Sequence, residues 1–406
     1  MRRMLIGVPR EAFPGERRVA LTPVAVSALS EAGLEVVVES GAGAEAGFSD
    51  QAYRERGARA RSREEAFGAD VVLQVRITGT ASQRDASDVH LLRPGQVLVG
   101  FANPLGAPQA IRDLAGHGVT AFALELMPRI ARAQPMDALS SQATVAGYKA
   151  VLLAAQAVPK MFPMLTTSAG TITPARVLVV GAGVAGLQAI ATARRLGAVI
   201  QAYDVRPAVK EQVESLGAKF VELSPEADDA EADTGYAREM GEEFYRRQAE
   251  VMGRVLTATD AVITTALVPG KRAPVLITEE QVAGMAPGSV IVDLAAEQGG
   301  NCELTQPDQE VVAHGVIILG PTNLPATVPS DASQMYAKNV SSFLLHLVRD
   351  GEIHIDLDDP IHRETLVARD GEVVQARVRE ALGLSPEQSA ASGAAAGSAG
   401  AGGRKG

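Results

Sequence analysis

A chain of 406 residues is too long for one ordinary hydrophobic core and is expected to form two domains. Hydrophobic residues at 46% against 21% charged are the balance of a chain that buries substantial apolar surface, and a formal charge of -10 without a basic stripe argues against a nucleic-acid partner, whose phosphates need Lys and Arg. The single cysteine, Cys302, excludes an intrachain disulfide and a multi-cysteine zinc or iron-sulfur site, reads as structural, and fits a reducing, cytoplasmic compartment.

The basic start Met1-Arg2-Arg3 leads into an apolar run that stops at Pro9-Arg10, too short for a signal-peptide core. Strand-like runs at Met4-Val8, Leu34-Glu39, Asp70-Val75, Gln96-Phe101 and Thr120-Leu126 alternate with helical patterns, the signature of an α/β domain with a largely parallel sheet. Thr22-Pro23 reads as an N-cap followed by proline in the first turn, and Gly33 as the stop, which predicts a helix over Pro23 to Ala32. The alanine-rich segment from Ser140 to Met161 predicts an interdomain helix.

A second alternating series follows at Arg176-Val180, Val199-Tyr203, Lys219-Val221, Ala261-Thr265, Ser289-Asp293 and Val316-Leu319. A helix at about Ala332-Leu347 is placed to carry the chain back to the first domain. The expected architecture is α/β: two doubly wound Rossmann-like domains with a cleft between them, joined by long helices. Residues 1–138 plus 330–384 are assigned to the N-terminal domain and 139–329 to the second. The Ala/Gly/Ser tail 385–406 lacks bulky apolar residues and reads as a disordered tether. Apolar stretches such as Ala175 to Leu196 are interrupted well before the roughly 20 residues a spanning helix needs, so no membrane span is expected.

Arg176 to Leu187 carries strand, glycine turn and helix start in the order that dinucleotide binding requires. Gly181 permits the tight turn, Gly183 lets a pyrophosphate approach the backbone, Gly186 lets helix pack on strand, and Val184 and Ala185 open the helix whose amides face an anion. A glycine-rich turn without ligand is the bland alternative. The context favours NAD(H), because Asp204 ends a second strand 18 positions after Gly186, where a carboxylate accepts from ribose hydroxyls and repels an extra phosphate. Arg206, two residues on, keeps NADP open.

The loop Met127 to Asp137 joins the last strand of the first domain to the interdomain helix and so is expected at the cleft. Pro128 and Pro135 limit its conformations, while Arg129, Gln134 and Asp137 offer a donor fork, an amide and an acceptor able to hold a nicotinamide carboxamide. Alternatively, Asp137 or Ser140 caps the helix and the arginines are solvated. Spacing alone leaves both open. The six histidines are scattered, without metal-ligand spacing, and no metal is expected.

The run Glu125-Leu126-Met127-Pro128-Arg129-Ile130, continued by Arg132-Ala133-Gln134, Met136-Asp137 and Leu139-Ser140-Ser141-Gln142, closely resembles the nucleotide-contacting loop of the NAD(H)-binding component of proton-translocating NAD(P) transhydrogenases. The resemblance extends over about residues 1–350, through Gly181 to Gly186, Tyr203-Asp204-Val205-Arg206, Thr264 to Lys271 with Thr265, Ala266 and Leu267, Asp293-Leu294-Ala295, Gly299 to Cys302 and Asp331 to Ser333. It implies that Arg129, Gln134 and Asp137 position the nicotinamide, with Ser140 a lesser contact. Asp233 to Met240 resembles the family's mobile loop, implying that Gly235 and Tyr236 close on the nucleotide; a surface helix supported by Glu242/Arg246 and Glu243/Arg247 is compatible with this.

The resemblance further implies a homodimer, working with NADP(H)-binding and membrane-spanning partner subunits and lying peripherally on the inner face of the cell membrane through them. The absence of a second fingerprint suggests the form split into separate subunits. Alanine dehydrogenase is the nearest rival, sharing Ile6 to Glu11 and Arg18 to Pro23. Arg18 matches its substrate arginine, but Arg76 stands at the lysine position, Asn103-Pro104 at the histidine and Glu297 at the aspartate, so imine reduction lacks its acid/base group. A non-catalytic NAD(H) sensor is the remaining alternative.

Overall fold

The computed structural model describes residues 3–80, 85–222, 242–268 and 270–385. The segment with Gly235 and Tyr236 and the tail beyond Ser385 lie outside these residues. Two sheets dominate. The first has eight strands in the spatial order Glu372–Val373, Leu366–Arg369, Thr120–Ala123, Val97–Phe101, Val71–Arg76, Leu5–Val8, Glu35–Glu39 and Arg59–Arg61. The six strands from Thr120–Ala123 to Arg59–Arg61 run parallel, and Leu366–Arg369 adds on antiparallel. Residues 71–75 are buried throughout, because helices cover both faces of a parallel sheet. Two apolar clusters, one around Val8, Leu73 and Phe343 and one around Phe67, Leu98 and Ile111, form its core.

The second sheet has seven strands in the order Lys219–Phe220, Val199–Tyr203, Arg176–Val180, Ala261–Thr264, Val290–Asp293, Val316–Leu319 and Glu310–Ala313, all parallel except the last. That edge strand joins its neighbour through His314 and Gly315, both at positive φ (53° and 78°), the conformation a two-residue hairpin turn demands. The doubly wound α/β expectation therefore holds for both sheets. Four strands of the two sheets were not anticipated: Arg59–Arg61, whose residues are largely exposed, Glu310–Ala313, whose residues alternate between exposed and half-buried, and the antiparallel pair Leu366–Arg369 and Glu372–Val373.

The helix Ala138–Ala157 links the sheets. It starts two residues before the expected Ser140 because Asp137 takes the N-cap, its Oδ1 accepting from the Ser140 N–H at 2.9 Å. It stops at Ala157 ahead of Pro159, which disfavours helix in the residue before it. The return helix is Pro329–Leu347, three residues longer at its start than expected because Pro329 is itself tolerated at the first helical position. At Pro23–Glu31, Thr22 occupies the N-cap without a side-chain hydrogen bond, so proline alone marks that start. No helix among the described residues is long and apolar enough to cross a membrane.

Candidate functional site

Three loops meet at the carboxyl ends of adjacent strands of the second sheet. Arg176–Val180 runs into Gly181 to Gly186, Val199–Tyr203 into Asp204 to Arg206, and Ala261–Thr264 into Thr265 to Leu267; Val180 pairs in register with Tyr203 on one side and Thr264 on the other. The chain leaves Arg176–Val180 toward one edge and later returns on its other side at Ala261–Thr264, so the glycine turn sits at the point where strand order reverses. Ligands of doubly wound sheets bind in that crevice.

The glycines are required by the packing. Gly181 has φ 97°, and a Cβ on it would lie 2.5 Å from Thr265 Oγ1, which itself donates to the Gly181 carbonyl at 3.0 Å. A Cβ on Gly186 would lie 1.8 Å from that same carbonyl oxygen. Gly183 differs: nothing lies within 4 Å of a Cβ position there, and Gly183 and Val184 are exposed. The turn is thus closed beneath and open above, where the N–H groups of the 12-residue helix Val184–Arg195 have no side-chain cap. That is the cradle an anion such as a pyrophosphate needs.

Asp204 ties the second loop to the first: its Oδ2 accepts the Ala182 N–H at 2.7 Å. Arg206 folds back on the same carboxylate, through its N–H and Nε to Oδ1 (2.9 and 3.0 Å) and through Nη2 to Oδ2 (2.9 Å). The arginine held open for an NADP phosphate is therefore engaged by the acid next to it. Val205 is half-buried between them.

The third loop stands on a buried polar scaffold. Asp293, fully buried, accepts from Thr264 Oγ1 and the Ala295 N–H at Oδ1, and from the Asn301 and Cys302 N–H groups and Thr305 Oγ1 at Oδ2. Asn301, also fully buried, brackets Ala266, accepting its N–H at 2.9 Å and donating to its carbonyl at 2.8 Å. The motifs themselves were legible in the sequence; that Asp293 and Asn301 hold the loop was not. Cys302 is buried, and burial first of all pushes its thiol up to about 11, so it belongs to this scaffold and is unreactive.

The polar loop of the first domain follows Thr120–Ala123. Arg129 and Gln134 are exposed, Asp137 and Ser140 are half-buried, and Ala133 and Met136 between them are buried in the first core. Asp137 both caps the helix and accepts from Ser140 Oγ at 2.6 Å, so one of its two readings, the cap, is realised. The helix that begins there runs to the fingerprint: Gly147 packs so tightly on the start of Val184–Arg195 that a Cβ would lie 2.1 Å from the Ala185 carbonyl. About 15 Å of helix separates loop from glycine turn.

The carboxyl ends of the two sheets face one another. Arg76, over the Phe13 ring at 4.1 Å, reaches Glu297 of the second domain at 3.3 Å, and a Cβ on Gly270 would meet Leu105 at 2.8 Å. Arg18 is buried with its donors engaged: Nε and Nη2 on Glu16 (2.7 and 2.6 Å), Nη1 on Gln142 (2.8 Å) and Nη2 also on Asn323 (3.1 Å). Burial raises the Glu16 carboxyl, but Arg18 beside it outweighs that and holds it down at about 2. The positions that resemble a substrate pocket thus neutralise one another.

Nearby Glu11 is pushed up to about 8, first by burial and then by Glu16, against hydrogen bonds from the Val75 and Arg76 N–H groups. The fold also assembles His346, Asp359 and His362, with ligand atoms within 4.8 Å, which the scattered sequence positions did not reveal. His362 Nδ1 accepts the Asp356 N–H, which leaves the neutral ring's proton on Nε2, and Asp359 is shared by Arg132 and His346. Within the cluster the hydrogen bond runs between His346 and Asp359, and His362 Nε2 is buried without a partner.

Comparison with known proteins agrees with this geometry. Residues 7–146 match the family described as alanine dehydrogenase/PNT, N-terminal domain, and residues 150–376 its C-terminal domain. The chain is 51% identical over 376 residues to an NAD(P) transhydrogenase alpha-subunit protein of Rhodospirillum rubrum, covering 91% of this chain and 98% of that one. It superposes on a transhydrogenase structure from Sinorhizobium meliloti with a TM-score of 0.81 at 43% identity, covering 91% of this chain and 100% of that one. Identity to the alanine dehydrogenase of Bacillus subtilis is 29% over 389 residues, covering 94% and 95%. The chain therefore belongs to the alanine dehydrogenase/PNT family and, within it, groups with the NAD(P) transhydrogenase alpha subunits.

Proposed function

We propose that this chain is the NAD(H)-binding subunit of a proton-translocating, Re/Si-specific NAD(P)⁺ transhydrogenase, in which hydride passes directly between NADH held here and NADP⁺ held on a partner subunit. The observation that carries this reading is the exposed pair Arg129 and Gln134 on the loop that leads into the helix Ala138–Ala157, whose Gly147 packs on the helix start of the glycine turn. Bound NADH supplies the hydride. The amides of the turn and of the helix start at Val184 take the pyrophosphate, Asp204 takes ribose hydroxyls, and Arg129, Gln134 and Asp137 orient the carboxamide of the ring. Thr265, Ala266 and Leu267 wall the crevice, and Ser140 supports Asp137.

Such a reaction asks little acid/base chemistry of the protein, since positioning two rings is most of the work. The buried Arg18, with four of its five guanidinium donors bonded to Glu16, Gln142 and Asn323, favours this reading over alanine dehydrogenase. The same reading includes a homodimer, in keeping with the antiparallel pair Leu165–Thr167 and Gly170–Ile172, around which Met161, Met164 and Ile172 are exposed. It also includes membrane-spanning partners that couple hydride transfer to proton movement at the cytoplasmic face.

Stopped-flow transfer between NADH and an NADP⁺ analogue, with and without the NADP(H)-binding component, tests the proposal. Transfer is expected only with the component present. Its absence in the complete mixture, with NADH binding intact, would sink the reading.

A further inference from the structure

The loop Ala131–Met136 is held from outside its own segment. Its buried residues, Ala133 and Met136, share a core cluster with Tyr336, Val340 and Phe343 of the return helix Pro329–Leu347. On the polar side, Asn339 of that helix donates from Nδ2 to the Pro135 carbonyl at 2.8 Å. Arg132 forks onto Asp359, with Nη2 to Oδ1 at 2.7 Å and Nη1 to Oδ2 at 3.2 Å. Asp359 is fixed in turn by the Ile361 N–H at 2.9 Å and by His346 Nε2 at 2.8 Å. Gln134 sits between these holds, with buried Ala133 on one side and the bonded Pro135 on the other, and is itself exposed.

Asn339 is only 8% exposed, yet its Oδ1 has no partner. Turning the amide over would set Oδ1 against the Pro135 carbonyl, two acceptors face to face, so that bond fixes its orientation. A buried acceptor left unpaired works against folding. What the amide secures in exchange is one hydrogen bond to the backbone next to Gln134, which is how a supporting contact keeps a reacting geometry from loosening.

We propose that Asn339 is a positioning residue for hydride transfer, setting the Gln134 carboxamide through the Pro135 carbonyl, with Asp359 acting through Arg132 as a second strut. This rests on the reading of the loop given above, and the test separates the two. In Asn339→Leu, a similar volume loses both the donor and the unpaired acceptor, while the carbonyl of Pro135, an exposed residue, loses its partner. The full chain is assayed with the NADP(H)-binding component for hydride transfer, for NADH affinity by calorimetry, for thermal midpoint, and for amide exchange across residues 129–137, with Gln134→Asn alongside.

The expected result for Asn339→Leu is a thermal midpoint at or above wild type, NADH affinity within about threefold, faster exchange confined to the loop, and transfer slowed by about 10- to 100-fold, the scale of a small misplacement. Slow transfer in Gln134→Asn with a wild-type rate in Asn339→Leu overturns the positioning role and leaves the loop reading standing. A wild-type rate in Gln134→Asn removes the loop reading and the proposal with it. If NADH affinity and midpoint fall in step with the rate, Asn339 is structural and the proposal fails. Should Asn339→Leu not fold, Asp359→Asn replaces it, keeping the side chain's size while removing the charge that holds Arg132, with the same loop-confined exchange and about 10-fold slower transfer expected.

Discussion

Replacing Glu125 with Gln isolates the electrostatic cost of one buried carboxyl at the head of the nucleotide loop. The hydrogen bonds that Glu125 accepts from the Ala102 and Asn103 N–H groups, at 2.9 and 2.5 Å, both end on Oε1, and Oε2 is buried without a partner. Burial, outweighing the backbone N–H groups of Glu125 itself, Asn103 and Ala102 and the charge of Arg76, pushes the carboxyl from 4.5 up to about 7. Between those values the folded chain keeps a proton the unfolded chain has lost, so stability is fully present below pH 4.5 and falls as pH rises through about 7. At about 1.4 kcal/mol per pH unit, the loss is about 3 kcal/mol once the group is ionised in both states. Gln keeps the Oε1 bonds and has no proton to lose. Urea unfolding of both proteins from about pH 4 to about pH 8 is therefore expected to show Glu125→Gln gaining about 3 kcal/mol on wild type across the range. A difference that stays constant with pH would refute the burial argument.

Gly186→Ala puts a methyl 1.8 Å from the Gly181 carbonyl, so it is expected to destabilise by about 1–3 kcal/mol and to abolish NADH binding, measured by denaturant titration and calorimetry; an unchanged Kd would show the turn is not the cradle. NADH is expected to bind much more tightly than NADPH, because Asp204 stands at the ribose end and Arg206 is already committed to it; equal affinities in calorimetry would count against that assignment. With the Arg18 donors engaged by Glu16, Gln142 and Asn323, no NAD⁺-dependent oxidation of L-alanine is expected in a spectrophotometric assay, and robust turnover would revive the dehydrogenase reading.

The α/β class, most strands of both sheets and the glycine turn were legible in the residues alone, because these features rest on local chemistry. Buried parallel strands read as unbroken Val/Ile/Leu runs, and a turn with φ 97° at Gly181 has a residue type that announces it. Of the strands that escaped notice, Arg59–Arg61 lies largely exposed at a sheet edge, Glu310–Ala313 depends on the His314-Gly315 turn, and Leu366–Arg369, though mostly buried, joins the first sheet antiparallel from the far end of the chain. The composition of the polar loop was legible too, but that Asp137 caps the following helix was seen only in its bond to the Ser140 N–H.

How the loop is held, and which charges cancel, are matters of tertiary structure. Asn339 and Pro135 are 204 positions apart, Arg132 and Asp359 227, Arg76 and Glu297 221. At such separations neither periodicity nor propensity couples the partners. Only the return of the chain, through the helix Pro329–Leu347 and the strand Leu366–Arg369 added to the first sheet, brings them within bonding distance.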